Sequence, residues 1–503
     1  MQRPLKGSGK VVENLSGVSR ATRGGLWLYL DVVLTCFVGY LYWLIISSTA
    51  GPSATGLAAA TVSLAALIGQ VSFLGIPTGV QRFLGECAGS GDAINLGVYL
   101  GSSIIIILLV SFVGVSLILY LIVKMLSQIK PVFVLIAGSL VILSGLKQVL
   151  YSFYTSTLKT HFIAMTSVIS GAFRFIVGIS LVYLGWGGVG ASLGYLTAVT
   201  MAVVMLSLLL LHNFHDVKFG VSLKAMMDIL KAGLASWPGA ALSALGMWTG
   251  VLVVFGVHGA VETGLYYVAL AIASVVIALP QSLLSTMFPL LSGMNDGRKR
   301  AAWRATKIAI AASTPLAAIL VAYSAVVLGL MGADYVEASL ELALLALSAA
   351  PIALFMGVWS LTYAYGRYSF VLALSIAQTA PRVFLAFMLA DMGGIGAAIG
   401  FLTGSLVGAA LAVLVAKKIG LEIFWKELAI LVGTPLAAAY LVGLLRVPWF
   451  LGAPAIMVVS VVCFLKLKAI SQEDLKDAVL ALVPNGSSIE AKALGLLRML
   501  YGE

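Results

Sequence analysis

The sequence predicts an all-α integral membrane protein with about fourteen transmembrane helices, and three observations carry that prediction. The first is composition. Of 503 residues, 61% are hydrophobic and only 10% are charged, with a mean hydropathy of +1.09. A water-soluble domain carries roughly 25% charged residues, so lipid is the solvent for most of this chain. The second is segmentation: apolar runs of about 20 residues, enough to cross a hydrocarbon core of about 30 Å as a helix, recur from end to end. The short alternating segments of a membrane barrel do not occur. The third is an internal duplication. LGWGGVGASLGYLTA (184–198) returns 206 positions later as ADMGGIGAAIGFLTG (390–404), and GPSATGL (51–57) returns 208 positions later as GAVETGL (259–265).

Fourteen spans follow from the apolar runs: 26–47, 56–80, 94–121, 132–155, 162–184, 188–211, 231–256, 263–291, 306–331, 339–364, 368–390, 393–416, 428–446 and 448–466. The echoes pair spans 1–6 with spans 7–12. An even number of helices per unit keeps both units in one orientation, which implies two six-helix lobes related by an axis along the membrane normal. The expected organisation is an N-terminal tail (1–25), lobe 1 (26–211), a linker (212–230), lobe 2 (231–416), spans 13 and 14 (417–466) and an amphipathic tail (467–503). That last stretch mixes apolar and charged residues at helical spacing, as a helix lying on the membrane surface does. The basic N-terminus is followed by no cleavage pattern, so 26–47 reads as a retained span.

Charge fixes the expected orientation. Counting those at span edges with their nearest loop, 24 of the 30 lysines and arginines fall in the N-tail, the C-tail and the loops after even-numbered spans. Lys124, Lys130 and Arg446 lie on the other side, and Lys147, Arg174 and Arg382 lie within spans. Positive residues collect on the cytoplasmic side, so both termini are expected there, in the cell membrane. The net charge of +11 is accounted for by these loops and implies no nucleic-acid partner. Three distant cysteines supply neither a disulfide framework nor a metal site. No P-loop, nucleophile elbow or HExxH motif is present, and His212 and His215 have no third ligand nearby. The sequence therefore predicts no enzyme, no cofactor and no metal.

What remains is charge inside the membrane, which costs about 2.5–3.5 kcal/mol at a helix centre and usually faces a cavity or a partner. Arg174 in span 5 and Arg382 in span 11 stand in corresponding helices near mid-membrane. One reading makes them a pair of cationic contacts for an anionic group; the other has each bonding helix carbonyls within its own lobe. Lys147 in span 4 is a third substrate-binding candidate, or snorkels to the cytoplasmic surface. Asp31, the acid well inside a span, is a candidate for binding a coupling proton or sodium ion, or for pairing with Arg174 or Lys147. Arg82, followed by Glu86, lies where span 2 leaves the membrane, and His161 and Arg367 begin spans 5 and 11. These three suggest a cytoplasmic rim that gathers phosphate groups, with positive-inside anchoring the simpler account. Interior prolines are concentrated in lobe 2, while lobe 1 has only Pro77 well inside a span.

With the two halves, the segment GIPTGVQRFLGECAGSGD, the two glycine-rich turns and the two added spans, the chain resembles the polysaccharide flippase branch of the multidrug/oligosaccharidyl-lipid/polysaccharide exporter superfamily. The resemblance implies alternating-access movement of polyprenyl-(pyro)phosphate-linked oligosaccharides for polysaccharide export, through a cationic central cavity lined by residues such as Arg174, Arg382 and Lys147. It implies membrane lipids and the lipid-linked glycan as partners. The alternative within the superfamily is cation-coupled multidrug extrusion, against which two added spans and a single embedded acid count. The lipid II flippase branch also has fourteen spans, but its distinctive loop motifs are not seen here.

Overall fold

The computed structural model describes residues 8–125, 130–213, 219–285 and 296–470, with 287, 291 and 294 between the last two; the side chains of 8–34, 36, 37, 121–125 and 285 are not described. Asp31 and the tail beyond 470 therefore fall outside the described side chains and residues respectively. Among the described residues every regular element is helical. In chain order they are α1 (Ser8–Ser72), α2 (Ile76–Ser90), α3 (Ala93–Met125), α4 (Pro131–Ser156), α5 (His161–Leu181), α6 (Gly187–Asn213), α7 (Leu223–Ser285), α8 (Arg298–Ala322), α9 (Ser324–Gly329), α10 (Ser339–Leu347), α11 (Ala349–Ala364), α12 (Tyr368–Met388), α13 (Gly393–Ile419), α14 (Trp425–Leu444) and α15 (Trp449–Lys466).

Among the described residues, eleven segments are long and apolar enough to cross a membrane. Three of them hold two spans each: His161–Asn213 and Leu223–Leu284 are of double length, and Val38–Ser72 is part of the 65-residue helix Ser8–Ser72. Each is interrupted by a glycine that no helix accommodates: Gly51 (φ 74°), Gly185 (φ 86°) and Gly259 (φ 79°). Dividing the three there gives fourteen spans among the described residues, which makes this a multi-pass membrane protein of the predicted class.

The two sequence echoes are also conformational echoes. Gly51 and Gly259, which open the two copies of the shorter echo, adopt (74°, 176°) and (79°, −164°). Gly187 and Gly393, equivalent in the longer echo, adopt (46°, −126°) and (60°, −135°). A side chain at such φ values clashes with the backbone, so glycine is the residue that permits each turn. Around the first pair, a Cβ at Gly56 would overlap the carbonyl oxygen of Ala260, and one at Gly264 would overlap that of Pro52. Gly56 is equivalent to Gly264 in the echo, and Pro52 to Ala260, so the two halves of this crossing are copies of each other.

By packing, the chain divides into two compact units, Met1–Gly264 and Leu265–Glu503. The first contains α1–α6 and α7 up to its kink. Its core holds Phe73, Leu100, Phe153 and Tyr154 together with Ile229 and Phe255 of α7. The duplication boundary expected at 212–230 is a statement about sequence repeats; the first half of α7 nevertheless packs within the first unit. In the second unit, α14 and α15 pack on α8 through Ala318, Ala438, Ala439 and Ile456. Thr314 of α8 donates to the Leu431 carbonyl at 2.8 Å. Small residues and interhelical hydrogen bonds of this kind replace the hydrophobic drive that lipid does not supply.

One span departs from expectation. The pattern predicts a continuous helix over 56–80, but α1 stops at Ser72. Leu74 (φ 50°) and Gly75 (φ 69°) turn the chain, and α2 restarts with Pro77 in its first turn. Pro77 therefore begins a helix instead of bending one, its fixed φ and missing N–H both suiting that position. At the far end of α2, Asp92 caps α3. Its carboxylate accepts the Asn95 backbone N–H at 3.0 Å, which holds the group below the usual carboxylate range.

Candidate functional site

In the first unit the site is built on the α5–α6 hairpin and α1. Gly178 and Gly194 leave a slot in that hairpin, since a Cβ at either would collide with the Tyr42 hydroxyl. Tyr42 enters the slot and donates to the Ala191 carbonyl at 2.6 Å. Its neighbour Trp43 donates from Nε1 to the Tyr195 hydroxyl at 3.0 Å. Arg174 lies over both phenol rings, 5.2 Å from the Tyr42 centroid and 4.8 Å from that of Tyr195. It is only 8% exposed. Its Nε is buried and has no hydrogen-bond partner among the described residues.

The second unit repeats this arrangement on α12 and α13. Arg382 lies 3.9 Å from the centroid of Phe401, and its Nη2 donates to Ser405 Oγ at 2.8 Å. A Cβ at Gly404 would overlap the Arg382 side chain, so the glycine stripe of α13 is what lets the arginine lie against its neighbour. The Arg382 Nε is again buried and without a partner among the described residues. Arg174 and Arg382 are related by the offset of the shorter echo, and the rings over which they lie, Tyr195 and Phe401, are equivalent in the longer one. Tyr266, fully buried, is an electrostatic neighbour of both Arg382 and Glu341.

Magnitudes separate the two readings of these arginines. A guanidinium at mid-membrane costs about 2.5–3.5 kcal/mol, and a ring face returns about 0.5–2 kcal/mol. Rings and one hydroxyl therefore hold the charge in place without supplying a counter-charge. Among the described residues no carboxylate lies within ion-pair distance of either guanidinium. The Nε of each arginine has no partner among those residues, and the Arg382 Nη2 goes to a hydroxyl.

Lys147 on α4 lies 5.0 Å from the Tyr151 ring centroid. It lines a cavity of about 430 Å3 with Thr78, Gln81, Gln148, Tyr151 and Ser152. Ser152 Oγ donates to the Pro77 carbonyl and Ser156 Oγ to that of Gln81, both at 2.9 Å. The break at 73–75 is thus what sets α2 against α4 to make a polar cavity.

The rim residues are less organised. Arg82 pairs with Glu86 at 3.1 Å across one helical turn, with both side chains more than half exposed. His161 is exposed, its ring tilted at 43° to that of the adjacent Phe162 with centroids 4.1 Å apart. Arg367 lies 5.9 Å from the Phe370 centroid. Arg82 and His161 belong to the first unit and Arg367 to the second.

Several residues escape a reading based on charge inside spans. Tyr195 and Phe401 stand inside the longer echo, at GYLT and GFLT, where the alignment itself marked the position. Glu341, close to the start of span 10, is 5% exposed and so is a buried acid. Lys307, counted with the cytoplasmic loop, is buried and pairs with Glu427 at 3.2 Å.

No family model matches the sequence, and comparison with curated proteins returns no significant match. The fold is that of a known transporter class. The chain aligns with a lipid II flippase, MurJ, in an inward closed conformation, at TM-score 0.69 and 14% identity, covering 88% of this chain and all of that one. It aligns with an inward-facing multidrug resistance MATE family transporter of the MOP superfamily at TM-score 0.66 and 18% identity, covering 76% and 94%. A eukaryotic MATE transporter aligns at TM-score 0.53 and 19% identity, covering 82% and 98%.

Proposed function

We propose that this chain is an alternating-access flippase of the cell membrane, moving a polyprenyl-(pyro)phosphate-linked oligosaccharide from the cytoplasmic to the outer leaflet for polysaccharide export. The observation that carries the reading is the repeat-related pair of buried guanidinium groups, Arg174 and Arg382, each with an unpartnered Nε and no carboxylate within ion-pair distance among the described residues. A phosphate or pyrophosphate is the counter-charge that such groups recognise best, through paired N–H···O bonds that a lysine does not form. Lys147, in its polar cavity, adds a third cation, and Arg82, His161 and Arg367 would draw phosphates to the cytoplasmic opening. The alignment with the lipid II flippase spans 88% of this chain, against 76% for the inward-facing multidrug transporter. That wider coverage supports the flippase reading.

The second reading is cation-coupled multidrug extrusion, and one observation favours it: Glu341 is a buried carboxylate, the kind of group that binds a coupling cation. Asp31 remains a proposed coupling site for a proton or sodium ion. Reconstitution into liposomes separates the two functions. The flippase reading expects a fluorescent polyprenyl-pyrophosphate oligosaccharide on the inner leaflet to become accessible to an external quencher, with no transport of a cationic dye. Dye transport driven by an ion gradient, with the labelled lipid immobile, would overturn it.

A further inference from the structure

At one end of the second unit, the start of α8, the loop before α14 and the first turn of α14 line an open cavity of about 440 Å3. It is lined by Lys299, Arg300, Trp303, Arg304, Lys307 and Glu427, with Glu422 and Phe424 on the loop. The four cations meet only two carboxylates, which leaves the lining net positive. Those carboxylates are not shared equally. Glu427 Oε2 takes both the Lys307 ammonium at 3.2 Å and the Trp303 indole N–H at 3.0 Å. This fixes the floor of the cavity and leaves Glu427 committed to Lys307, whose side chain is 9% exposed.

Nearer the mouth, Lys299 and Arg300 are exposed, and neither has an ion-pair partner among the described residues. Lys299 is held beside Gly420, where a Cβ would come within 2.8 Å of its ammonium. Gly420 is the left-handed end of α13 (φ 73°), so the backbone turn and the placement of the cation depend on the same residue. The N-terminus of α8 adds to the positive field. Its N-cap, Gly297, offers no side-chain acceptor for the first-turn N–H groups, which leaves those donors for solvent or an anion. Trp303 and Phe424, with centroids 6.0 Å apart, form an apolar wall beside this charge. By the distribution of basic residues, this end of α8 faces the cytoplasm.

We infer that this cavity is a second anion site, separate from Arg174 and Arg382, which binds a phosphate or pyrophosphate group at the cytoplasmic surface. Ordinary positive-inside anchoring accounts for exposed lysines and arginines. It does not account for a cavity in which one carboxylate, Glu427, is already held by Lys307 and Trp303 while Lys299 and Arg300 at the mouth have no ion-pair partner among the described residues. A phosphate group supplies the missing charge and accepts from several guanidinium N–H groups at once. Two sources carry this chemistry, an anionic phospholipid headgroup and a free phosphorylated solute.

The test uses the full chain with two probes: inorganic pyrophosphate, titrated calorimetrically into protein in detergent, and phosphatidic acid in phosphatidylcholine nanodiscs, read by native mass spectrometry. Arg300→Gln with Arg304→Gln should weaken binding of at least one probe by about tenfold or more, the scale of losing charge-assisted hydrogen bonds. Loss for pyrophosphate identifies the soluble source, and loss for phosphatidic acid alone the lipid source. Glu422→Gln raises the lining charge and should tighten binding several-fold, a gain that misfolding cannot mimic. Lys224→Gln, at an exposed lysine of the first unit, should leave both affinities unchanged. Equal binding of both probes by wild type and the double variant, or no effect of Glu422→Gln, would overturn the inference and leave the proposal about the cargo untouched.

Discussion

Around Arg174 both tyrosine hydroxyls are engaged elsewhere, Tyr42 with the Ala191 carbonyl and Tyr195 with the Trp43 indole. The guanidinium touches them only through their ring faces. Around Arg382 the ring is a phenylalanine with no hydroxyl to place, and Ser405 takes one guanidinium N–H directly. A guanidinium has five N–H donors. The first unit therefore anchors its arginine by shape and polarisability, with its Nε left without a partner among the described residues. The second unit spends one donor on a fixed neighbour. The difference teaches that repeat-related positions need not carry equal loads: on the proposed reading Arg174 engages the ligand more, while Arg382, bonded to Ser405, is the better fixed.

Unequal loads give unequal variants. Arg174→Gln should lower lipid-linked glycan translocation by about ten- to a hundredfold, the loss expected for charge-assisted hydrogen bonds worth about 1.5–3 kcal/mol. Arg382→Gln should cost less translocation and more thermal stability. The reverse ranking in a reconstituted assay with parallel unfolding curves would break the comparison. Ser405→Ala leaves a guanidinium N–H unpaired and should destabilise by about 1–3 kcal/mol, with translocation changed little. Tyr195→Phe makes the first unit resemble the second at the ring. It removes the acceptor of Trp43 at a cost of about 0.5–1.5 kcal/mol, keeps the face beneath Arg174, and should leave activity near wild type. Arg82→Gln should have the smallest effect, because an exposed ion pair one turn apart contributes about 0–1 kcal/mol. A loss of translocation as large as that of Arg174→Gln would move recognition to the rim.

The parts that were legible in the sequence are those written as local rules. Hydrophobic length delimits the spans, and glycine marks the turns. The two echoes correctly pair Gly187 with Gly393 and Gly51 with Gly259, because only glycine tolerates those dihedrals. The break at Leu74 was harder to read, since the apolar run continues through it; the signal was the Gly75–Ile76–Pro77 sequence, a turn followed by a helix start. The surroundings of the arginines were only half legible. Counting charge finds Arg174 and Arg382 but is blind to rings, so Tyr42, Tyr195 and Phe401 passed as ordinary apolar residues. Lys307 and Glu427 lie far apart in the chain at two span edges, where one-dimensional topology counts them as surface charge. Only the packing of α14 on α8 brings them together.

The most direct test of the central claim compares Arg174→Gln/Arg382→Gln with Arg174→Lys/Arg382→Lys in liposomes carrying a polyprenyl-pyrophosphate oligosaccharide. Circular dichroism and size-exclusion profiles establish that both variants fold. If both guanidinium groups contribute to recognising the pyrophosphate, the glutamine double variant abolishes translocation. The lysine pair then retains a partial rate, because charge survives while paired hydrogen bonding is lost. Wild-type translocation by a correctly folded glutamine pair would contradict the account.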